Sequence, residues 1–182
     1  MEYDTRGEIL ILDSKLNFVP HITELRNKIS KAASMIHQAS KYAPTFILKQ
    51  MYYAYAYPHF HYAANIWGNT SPTHLQPLFL IQKRLIRTIT QSDFLAHTKP
   101  LFAQTKILNV YDIIKLQNAS FMFINRQKFN TATHQYETRN RFNLIPDHPY
   151  LNVYLLSLHY KGPKLWNTLP DVIKLSTNIK KK

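Results

Sequence analysis

Apolar residues recur at spacings of three and four through residues 71–90, which is the pattern of an amphipathic helix. Because successive helical residues are rotated by about 100°, these residues share one stripe: Leu75, Leu78, Ile81, Leu85, Ile86 and Ile89. Ser71 suits the N-cap and Pro72 the first helical position, while Pro77 removes one backbone donor inside the helix. The pattern therefore predicts a helix with one face in a core.

The side of this helix opposite the apolar stripe carries three basic residues: Lys83, Arg84 and Arg87. We expect these three to be exposed and the stripe, above all Leu78, Leu85 and Ile89, to be buried. A basic helix face is typical both of anion binding and of simple solvation, and the helix alone does not separate the two.

The same periodicity predicts three further helices: 21–40, 45–66 and 110–128. Pro58 requires the second of these to kink or stop. Trp166 belongs to a short docking segment near the end of the chain. The runs 8–13 and 151–160 are compatible with either strand or helix, because periodicity does not distinguish them in short apolar runs.

The predicted fold class is mainly α, an irregular helical bundle with little β. Three parts are expected: 1–20 as a leader with a short strand-like run, 21–128 as a helical region, and 129–182 as a polar loop, a docking segment and a basic tail. One packed unit is expected from the helices 21–40, 45–66 and 71–90. A second layer is expected from the helix 110–128 and the Trp166 segment. The loop over 129–150 is long for a compact domain, which is typical of a binding or mobile loop.

Residues 52–67 hold five of the 12 tyrosines, and the run ends on Trp67. Aromatic side chains beside a basic surface can stack nucleic-acid bases. Tyrosines at helical spacing more often pack in a core with their hydroxyls at its rim. Because the run is so dense in aromatics, we expect most of them to be core residues.

The charge of the chain is strongly positive, since 23 Lys and Arg stand against 10 Asp and Glu and give a formal net charge of +13. No acidic residue lies between Glu24 and Asp93. Such a surface repels itself unless a polyanion is near, and nucleic acid is the commonest polyanion. A membrane is the competing partner, but no stretch reaches the roughly 18–20 apolar residues of a spanning helix. Nucleic acid is therefore the expected partner and a membrane is not.

The candidate nucleic-acid-binding residues fall in three groups: Arg26, Lys28 and Lys31 on the first long helix, Lys83, Arg84 and Arg87 on the central helix, and Arg139 and Arg141 in the polar loop. Contacts from such residues to phosphates position a nucleic acid without reading its sequence.

The residues form no recognisable catalytic or metal site. Magnesium chemistry needs clustered carboxylates, and the acids here are scattered. His59-x-His61 is the one close histidine pair, and without cysteines or a third ligand it predicts no zinc site. Three glycines do not build a phosphate-binding loop. We therefore expect no cofactor, no metal and no catalysis by this chain alone. The absence of cysteine favours an intracellular setting, cytoplasmic or nuclear.

A series of short motifs runs in a fixed order along most of the chain. The first part is Leu12-Asp13, Leu16-x-Phe18-x-x-His21-Ile22, Tyr52-Tyr53, Tyr57-Pro58, Tyr62, Trp67-Gly68 and Gln82-Lys83-Arg84-x-Ile86-Arg87. The second part is His97-Thr98-x-Pro100-Leu101-Phe102, Thr138-Arg139 and Gly162-x-x-x-Trp166-Asn167-x-Leu169-Pro170-x-x-Ile173-Lys174. In this order the motifs resemble the region after the catalytic palm in non-LTR (LINE) retrotransposon reverse transcriptases of the jockey type.

The resemblance implies the thumb and C-terminal helical part of an RNA-directed DNA polymerase from a transposable element. In that family the thumb holds the template–primer duplex by backbone contacts, and Gln82-Lys83-Arg84 and helix 21–40 match family positions suited to this. The family's catalytic Tyr-x-Asp-Asp motif is missing, which implies a fragment that does not polymerise alone. Residues 6–11 replace a Leu-Gly turn of the family, so the first eight residues are expected to come from a truncation or a junction.

Two alternatives to nucleic-acid binding stay open. One is a retained helical module that binds a protein partner through exposed apolar surface. The other is a non-functional relic of a mobile element. Nucleic-acid binding that falls steeply with salt would favour the nucleic-acid-gripping fragment of a reverse transcriptase. Salt-resistant binding through apolar patches would favour the interaction module.

Overall fold

The computed structural model describes residues 10–129, 143–146, 151 and 154–175. The chain divides into two compact units, Met1–Ile114 and Lys115–Lys182, each with a hydrophobic core of its own. Helices make up nearly all of the regular structure in the described residues, so the predicted mainly α fold class is confirmed. The division into 1–20, 21–128 and 129–182 stays a prediction.

The described helices follow in chain order as α1 (Val19–Ala39), α2 (Thr45–Met51), α3 (Tyr57–His61), α4 (Ala64–Trp67), α5 (Pro72–Ile89), α6 (Thr98–Thr105), α7 (Val110–Asn125), α8 (Leu158–Asn167) and α9 (Asp171–Lys174). A π-helical segment, Tyr52–Ala56, joins α2 to α3. Short 3-10 turns occupy Arg126–Lys128 and Tyr154–Leu156.

The segment before α1 is a loop organised by the carboxylate of Asp13. This carboxylate accepts the backbone N–H groups of Lys15, Asn17 and Phe18 at 3.2, 3.4 and 2.7 Å. Residues 10–13 form neither strand nor helix, so the strand-like run predicted for 8–13 is wrong from residue 10 onward; residues 8 and 9 lie outside the described part. The carboxylate draws the following backbone donors into a turn, and local bonds of this kind compete with regular structure.

Helix α1 presents one apolar stripe to the core of the first unit: Ile22, Leu25, Ile29, Ala32 and Ile36. The helix predicted over 21–40 is therefore present, and it begins two residues earlier than predicted. Pro20 lies in its first turn, where the missing N–H would have no helical partner in any case.

His21 is buried beside this stripe, and its ring centroid lies 6.0 Å from that of Trp67. Nδ1 lies 3.4 Å from the backbone nitrogen of Ile11, which donates to it, while Nε2 has no hydrogen-bond partner among the described residues. Burial, together with a smaller effect of the Lys28 charge and against that of Glu24, lowers the pKa of this imidazole from its ordinary 6.5 to about 4. His21 is therefore neutral in the folded protein at neutral pH.

The pH dependence of stability follows from this neutral histidine. The free energy of unfolding is not reduced by His21 above pH 6.5, where the imidazole is neutral in the unfolded chain as well. It decreases as the pH falls toward 4, because the imidazole is then protonated in the unfolded chain but not in the folded one. We expect His21 alone to lower the free energy of unfolding by about 2 kcal/mol between pH 7 and pH 5. Urea unfolding at several pH values measures this loss. A His21→Phe variant should lack this part of the slope, and an unchanged slope in that variant would contradict the assignment.

The segment 45–66 changes to a π-helix before Pro58 and is interrupted at Tyr62 and Ala63, instead of forming the one continuous α-helix predicted. Before Pro58 the backbone widens into the π-helical segment, where the Tyr57 N–H donates to the Tyr52 carbonyl five residues back. The wider turn makes room for the proline ring, which in an α-helix clashes with the carbonyl four residues back. Ala63 then adopts a left-handed backbone, φ 48°, and α4 begins at the next residue.

Three large aromatic side chains of this segment pack in the hydrophobic core. Tyr52, Phe60 and Trp67 are fully buried, which confirms for them the expectation that the aromatic run is a core element. Tyr53 and Tyr55 are 40% and 52% exposed. The segment therefore lines the core and also places two tyrosines at the surface.

Helix α5 packs its apolar stripe against α1. Leu78, Leu85 and Ile89 are 0%, 1% and 0% exposed, so their predicted burial is confirmed. Ser71 is the N-cap residue as predicted, but its hydroxyl bonds the Thr73 hydroxyl at 2.8 Å and not a backbone N–H. Pro77 lies inside the helix.

The second unit has a small core formed by three buried residues: Met122, Leu144 and Trp166. Asn167 pairs with both backbone groups of Leu144, because its Oδ1 accepts the N–H at 2.9 Å and its Nδ2 donates to the carbonyl at 3.0 Å. Lys174 is buried, and its Nζ donates to Asn143 Oδ1 at 3.1 Å and lies 3.5 Å from a carboxylate oxygen of Asp171. The C-terminal motif therefore contains residues that hold this unit together.

The run 151–160 leads into a helix. Ser157 caps α8 by accepting the backbone N–H of Tyr160 at 3.4 Å, after a 3-10 turn at Tyr154–Leu156. Most of the polar loop predicted over 129–150 lies outside the described residues.

Candidate nucleic-acid interface

The three candidate cations of α1 point in different directions. Arg26 and Lys31 are exposed, and Lys28 is half-buried. At about 100° per residue, Arg26 and Lys28 are about 160° apart and flank the buried stripe on opposite sides. A row of phosphates along one side of α1 therefore contacts one of them and not the other.

The three candidate cations of α5 also differ in their surroundings. Arg84 is exposed, but Lys83 and Arg87 are half-buried, which corrects the expectation that all three are exposed. Lys83 Nζ lies 4.5 Å from the ring centroid of Phe79, and Arg87 Nε donates to the Ala96 carbonyl at 3.0 Å. Long basic side chains cover apolar surface with their stems, so a helical-face pattern overestimates their exposure.

The structure brings Arg26 and Arg84 together in a groove between the two long helices, named the α1–α5 groove. Its volume is about 350 Å³, and its lining includes Pro77, Leu80 and Ile81 but no carboxylate. Neither arginine forms an ion pair within the part of the chain that the structure describes. Two guanidinium groups therefore face one cleft without an internal counterion.

Arg84 continues this basic surface into a second groove of about 470 Å³, which it lines together with Arg87 and His37. Phe94 closes part of this groove, with the Arg87 guanidinium 6.0 Å from its ring centroid. Arg26, Arg84 and Arg87 thus form one basic strip along the pair α1 and α5. Lys28 and Lys31 are not in the lining of either groove.

Lys83 belongs to a third groove on another side of α5, named the α5–α6 groove. Its volume is about 710 Å³, and Lys99 and Lys106 line it with Lys83. The sequence-based candidates omit Lys99 and Lys106, although both are visible as lysines at the two ends of the 98–106 segment. Only the packing of α6 against α5 places them beside Lys83.

Gln82 is fully buried, although the resemblance places it in the segment that grips nucleic acid. Its Nε2 donates to the Tyr52 hydroxyl and to the Leu108 carbonyl, both at 2.9 Å, and its Oε1 accepts the Val110 N–H at 2.8 Å. Burial raises the pKa of the Tyr52 phenol, so its oxygen stays a neutral hydroxyl that accepts this bond. Gln82 therefore joins three core segments and has no free group for a ligand.

Arg139 and Arg141 lie outside the described residues. In the residues searched, no group of three metal-binding side chains is close enough to hold an ion, and no helix is long and apolar enough to cross a membrane. The ring of His61 packs 5.4 Å from that of Tyr57. The expected absence of a cofactor, a metal and a catalytic site stays a prediction.

These features describe a mainly helical chain with three basic grooves. Two of the grooves are lined by no carboxylate, and the α5–α6 groove is lined by one, that of Asp112. A stretch of 116 residues, 62% of the chain, is 25% identical to a Drosophila melanogaster protein described as probable RNA-directed DNA polymerase from transposon X-element. The chain spans about 13% of the length of that protein. The similarity supports a relationship to part of a transposon reverse transcriptase. No family model and no solved structure matches the chain.

Proposed function

We propose that this chain corresponds to the thumb and C-terminal helical part of a jockey-like non-LTR (LINE) retrotransposon reverse transcriptase. In this proposal it grips a template–primer duplex through phosphate contacts and is not catalytic by itself. The observation that carries the proposal is the α1–α5 groove, where Arg26 and Arg84 meet without a carboxylate. The similarity to a transposon RNA-directed DNA polymerase supports the same assignment.

The chemistry of the groove suits phosphates. A guanidinium donates paired N–H groups to phosphate oxygens in a fixed planar geometry, so two arginines in one cleft hold a backbone at two points. A groove without a carboxylate offers no internal competitor for these donors. Arg87 extends the strip, although one of its N–H groups is already used by Ala96.

The remaining candidates have graded roles in this proposal. Lys31 is exposed on the flank of α1, and Lys28 lies across the buried stripe from Arg26, so both fall away from the strip. Arg139 and Arg141 complete the candidate set from the polar loop. We propose that Arg26 and Arg84 supply the central contacts and that Lys28 contributes least.

The salt dependence of binding tests the grip directly. Each phosphate contact contributes a slope of about 0.9 to the decrease of log K with log salt, because bound counterions are released. Replacing Arg26 and Arg84 together by glutamine should weaken binding to an RNA–DNA heteroduplex and reduce the slope by about 2. Fluorescence anisotropy of a labelled heteroduplex, titrated at several salt concentrations, measures both quantities.

A matched control removes the same charge elsewhere in the first unit. Lys15 and Lys41 are exposed and line none of the three grooves. The double variant Lys15→Gln/Lys41→Gln should keep the wild-type slope within about 0.5. Equal losses in the two double variants would mean that net charge alone, and not the groove, attracts the duplex.

A protein-interaction module is the second candidate, and exposed apolar side chains favour it. Tyr42, Phe94 and Leu95 are 90%, 71% and 81% exposed. Binding of a protein partner that persists in high salt and is lost on changing Phe94 and Leu95 to serine would support this function. No binding of the heteroduplex at low salt, by a chain shown to be folded, would leave the interaction module or a mobile-element relic.

A further inference from the structure

The α5–α6 groove combines an aromatic wall with a basic rim. Phe79 and Phe102 both line it, their rings nearly parallel at 16° with centroids 6.3 Å apart. Both rings are half-buried, so each also contributes surface to the groove. Lys99 and Lys106 line the groove with them, and Lys83 Nζ lies over the Phe79 ring, 4.5 Å from its centroid.

The three lysines form no ion pair within the described part of the chain. The one carboxylate in the lining, that of Asp112, accepts the side-chain N–H of Asn109 at 2.5 Å. The groove volume of about 710 Å³ falls in the range of roughly 300–1,000 Å³ that is usual for small-ligand sites. The site therefore suits a ligand with a flat apolar part and flanking negative charges.

We propose that this groove binds an unpaired nucleotide of a single strand, with its base against the Phe79–Phe102 wall and its flanking phosphates at the three lysines. Single-strand binders combine these two features, a basic groove along the backbone and aromatic rings on which bases stack. A duplex does not present this chemistry, because the faces of its bases are stacked inside and only base edges, sugars and phosphates reach the protein. The proposal rests on the proposed function, since it concerns the strand that continues from a gripped duplex.

The position of the groove fits that role. Lys83 and Arg84 are consecutive residues of α5 and project about 100° apart. The α5–α6 groove and the basic strip therefore lie on neighbouring sides of one helix. A strand that leaves a duplex held at the strip reaches the groove by passing over α5.

The test separates base stacking from charge attraction by comparing two single strands of equal length. One is oligo-dT, and the other carries the same phosphates with abasic sites in place of bases. We expect the wild-type chain to bind oligo-dT more tightly, by a factor on the order of 10. Equal affinity for the two strands would overturn the proposal, because an acidic peptide or any polyanion would then do as well as a nucleotide.

Two variants assign the effect to this groove. Lys99→Gln/Lys106→Asn removes two rim charges, and asparagine tolerates the left-handed backbone of Lys106, φ 56°. This double variant should weaken oligo-dT binding by a factor on the order of 10. Its affinity for a blunt heteroduplex should stay within about 2-fold of the wild-type affinity. Phe102→Leu keeps an apolar side chain and should reduce the preference for oligo-dT over the abasic strand while leaving the salt slope unchanged. Circular dichroism confirms that each variant is folded.

The outcomes also distinguish this groove from the duplex grip. If the chain binds the heteroduplex but shows no base preference on single strands, nucleotide binding in the α5–α6 groove is contradicted and the proposed function stands. If the chain does not bind the heteroduplex but binds single strands in a way that depends on their bases and on Lys99 and Lys106, the duplex grip is contradicted and nucleotide binding in the groove stands. The Lys15→Gln/Lys41→Gln pair is again the control, and equal weakening of oligo-dT binding by that pair would overturn the groove.

Discussion

Replacing Gln82 by leucine should lower the free energy of unfolding by about 3–5 kcal/mol, although leucine is apolar and similar in size. The reason is the set of groups that Gln82 satisfies: the Tyr52 hydroxyl, the Leu108 carbonyl and the Val110 N–H. Leucine leaves all three without this partner. The bonds to Tyr52 and Val110 are buried and the one to Leu108 is partly buried, and each unsatisfied buried group costs about 1–3 kcal/mol. Urea denaturation followed by circular dichroism measures the change.

Two controls identify the cause of that loss. Gln76 is exposed on the same helix, so Gln76→Leu should change stability by less than about 0.5 kcal/mol. Tyr52→Phe removes only one of the bonds to Gln82 and should cost about 1 kcal/mol. If Gln82→Leu were no worse than Gln76→Leu, the buried amide would not be the link between these core segments.

Replacing Gly68 by alanine should destabilise the protein by about 3 kcal/mol through steric overlap alone. The backbone of Gly68 is ordinary, with φ −72°, so an alanine carries no conformational penalty there. Its Cβ would overlap the Ala64 carbonyl and lie 2.5 Å from Ile114 Cγ1. A backbone oxygen and a buried branched side chain cannot move aside easily, and overpacking of this kind costs about 1–3 kcal/mol or more.

Gly162 provides a matched comparison for the same substitution. A Cβ at Gly162 would meet the sulfur and outer carbons of Met122, which is a flexible side chain that adapts to local changes. Gly162→Ala should therefore cost about 1 kcal/mol or less. A larger loss at Gly162 than at Gly68, measured by the same denaturation experiment, would contradict this account of the two close approaches.

These positions bear on what the resemblance to reverse transcriptases means. Gly68, Gln82, Gly162 and Asn167 all belong to the motifs that carry it, and each has a structural role in this fold. Any protein that kept the fold would need such residues, whether or not it bound nucleic acid. The functional question therefore depends on Arg26, Arg84 and the lysines of the α5–α6 groove.

Much of the helical structure follows from the sequence, because the three-to-four spacing of apolar residues encodes which side of a helix is buried. The helices α1 and α5 and their buried stripes were predictable on that ground. A disturbance of the helix 45–66 at Pro58 was predictable, and the structure has a π-helical segment just before it. The interruption at Ala63 was not predictable, since a left-handed alanine has no signal in the sequence. The strand-like run is absent over residues 10–13, and the Asp13 carboxylate organises the backbone that follows it, from Lys15 to Phe18.

The spacing and composition of the residues are enough to predict a helical chain that is rich in apolar residues and strongly basic over the interval from Glu24 to Asp93. They do not predict that Arg26 and Arg84 line one groove while Lys28 lies across the buried stripe, or that Lys83 shares a groove with Lys99 and Lys106. Those arrangements depend on packing, because periodicity specifies the buried face of each helix but not the neighbour against which it packs. Neighbours determine which side chains share a groove, and the grooves carry the proposed functions.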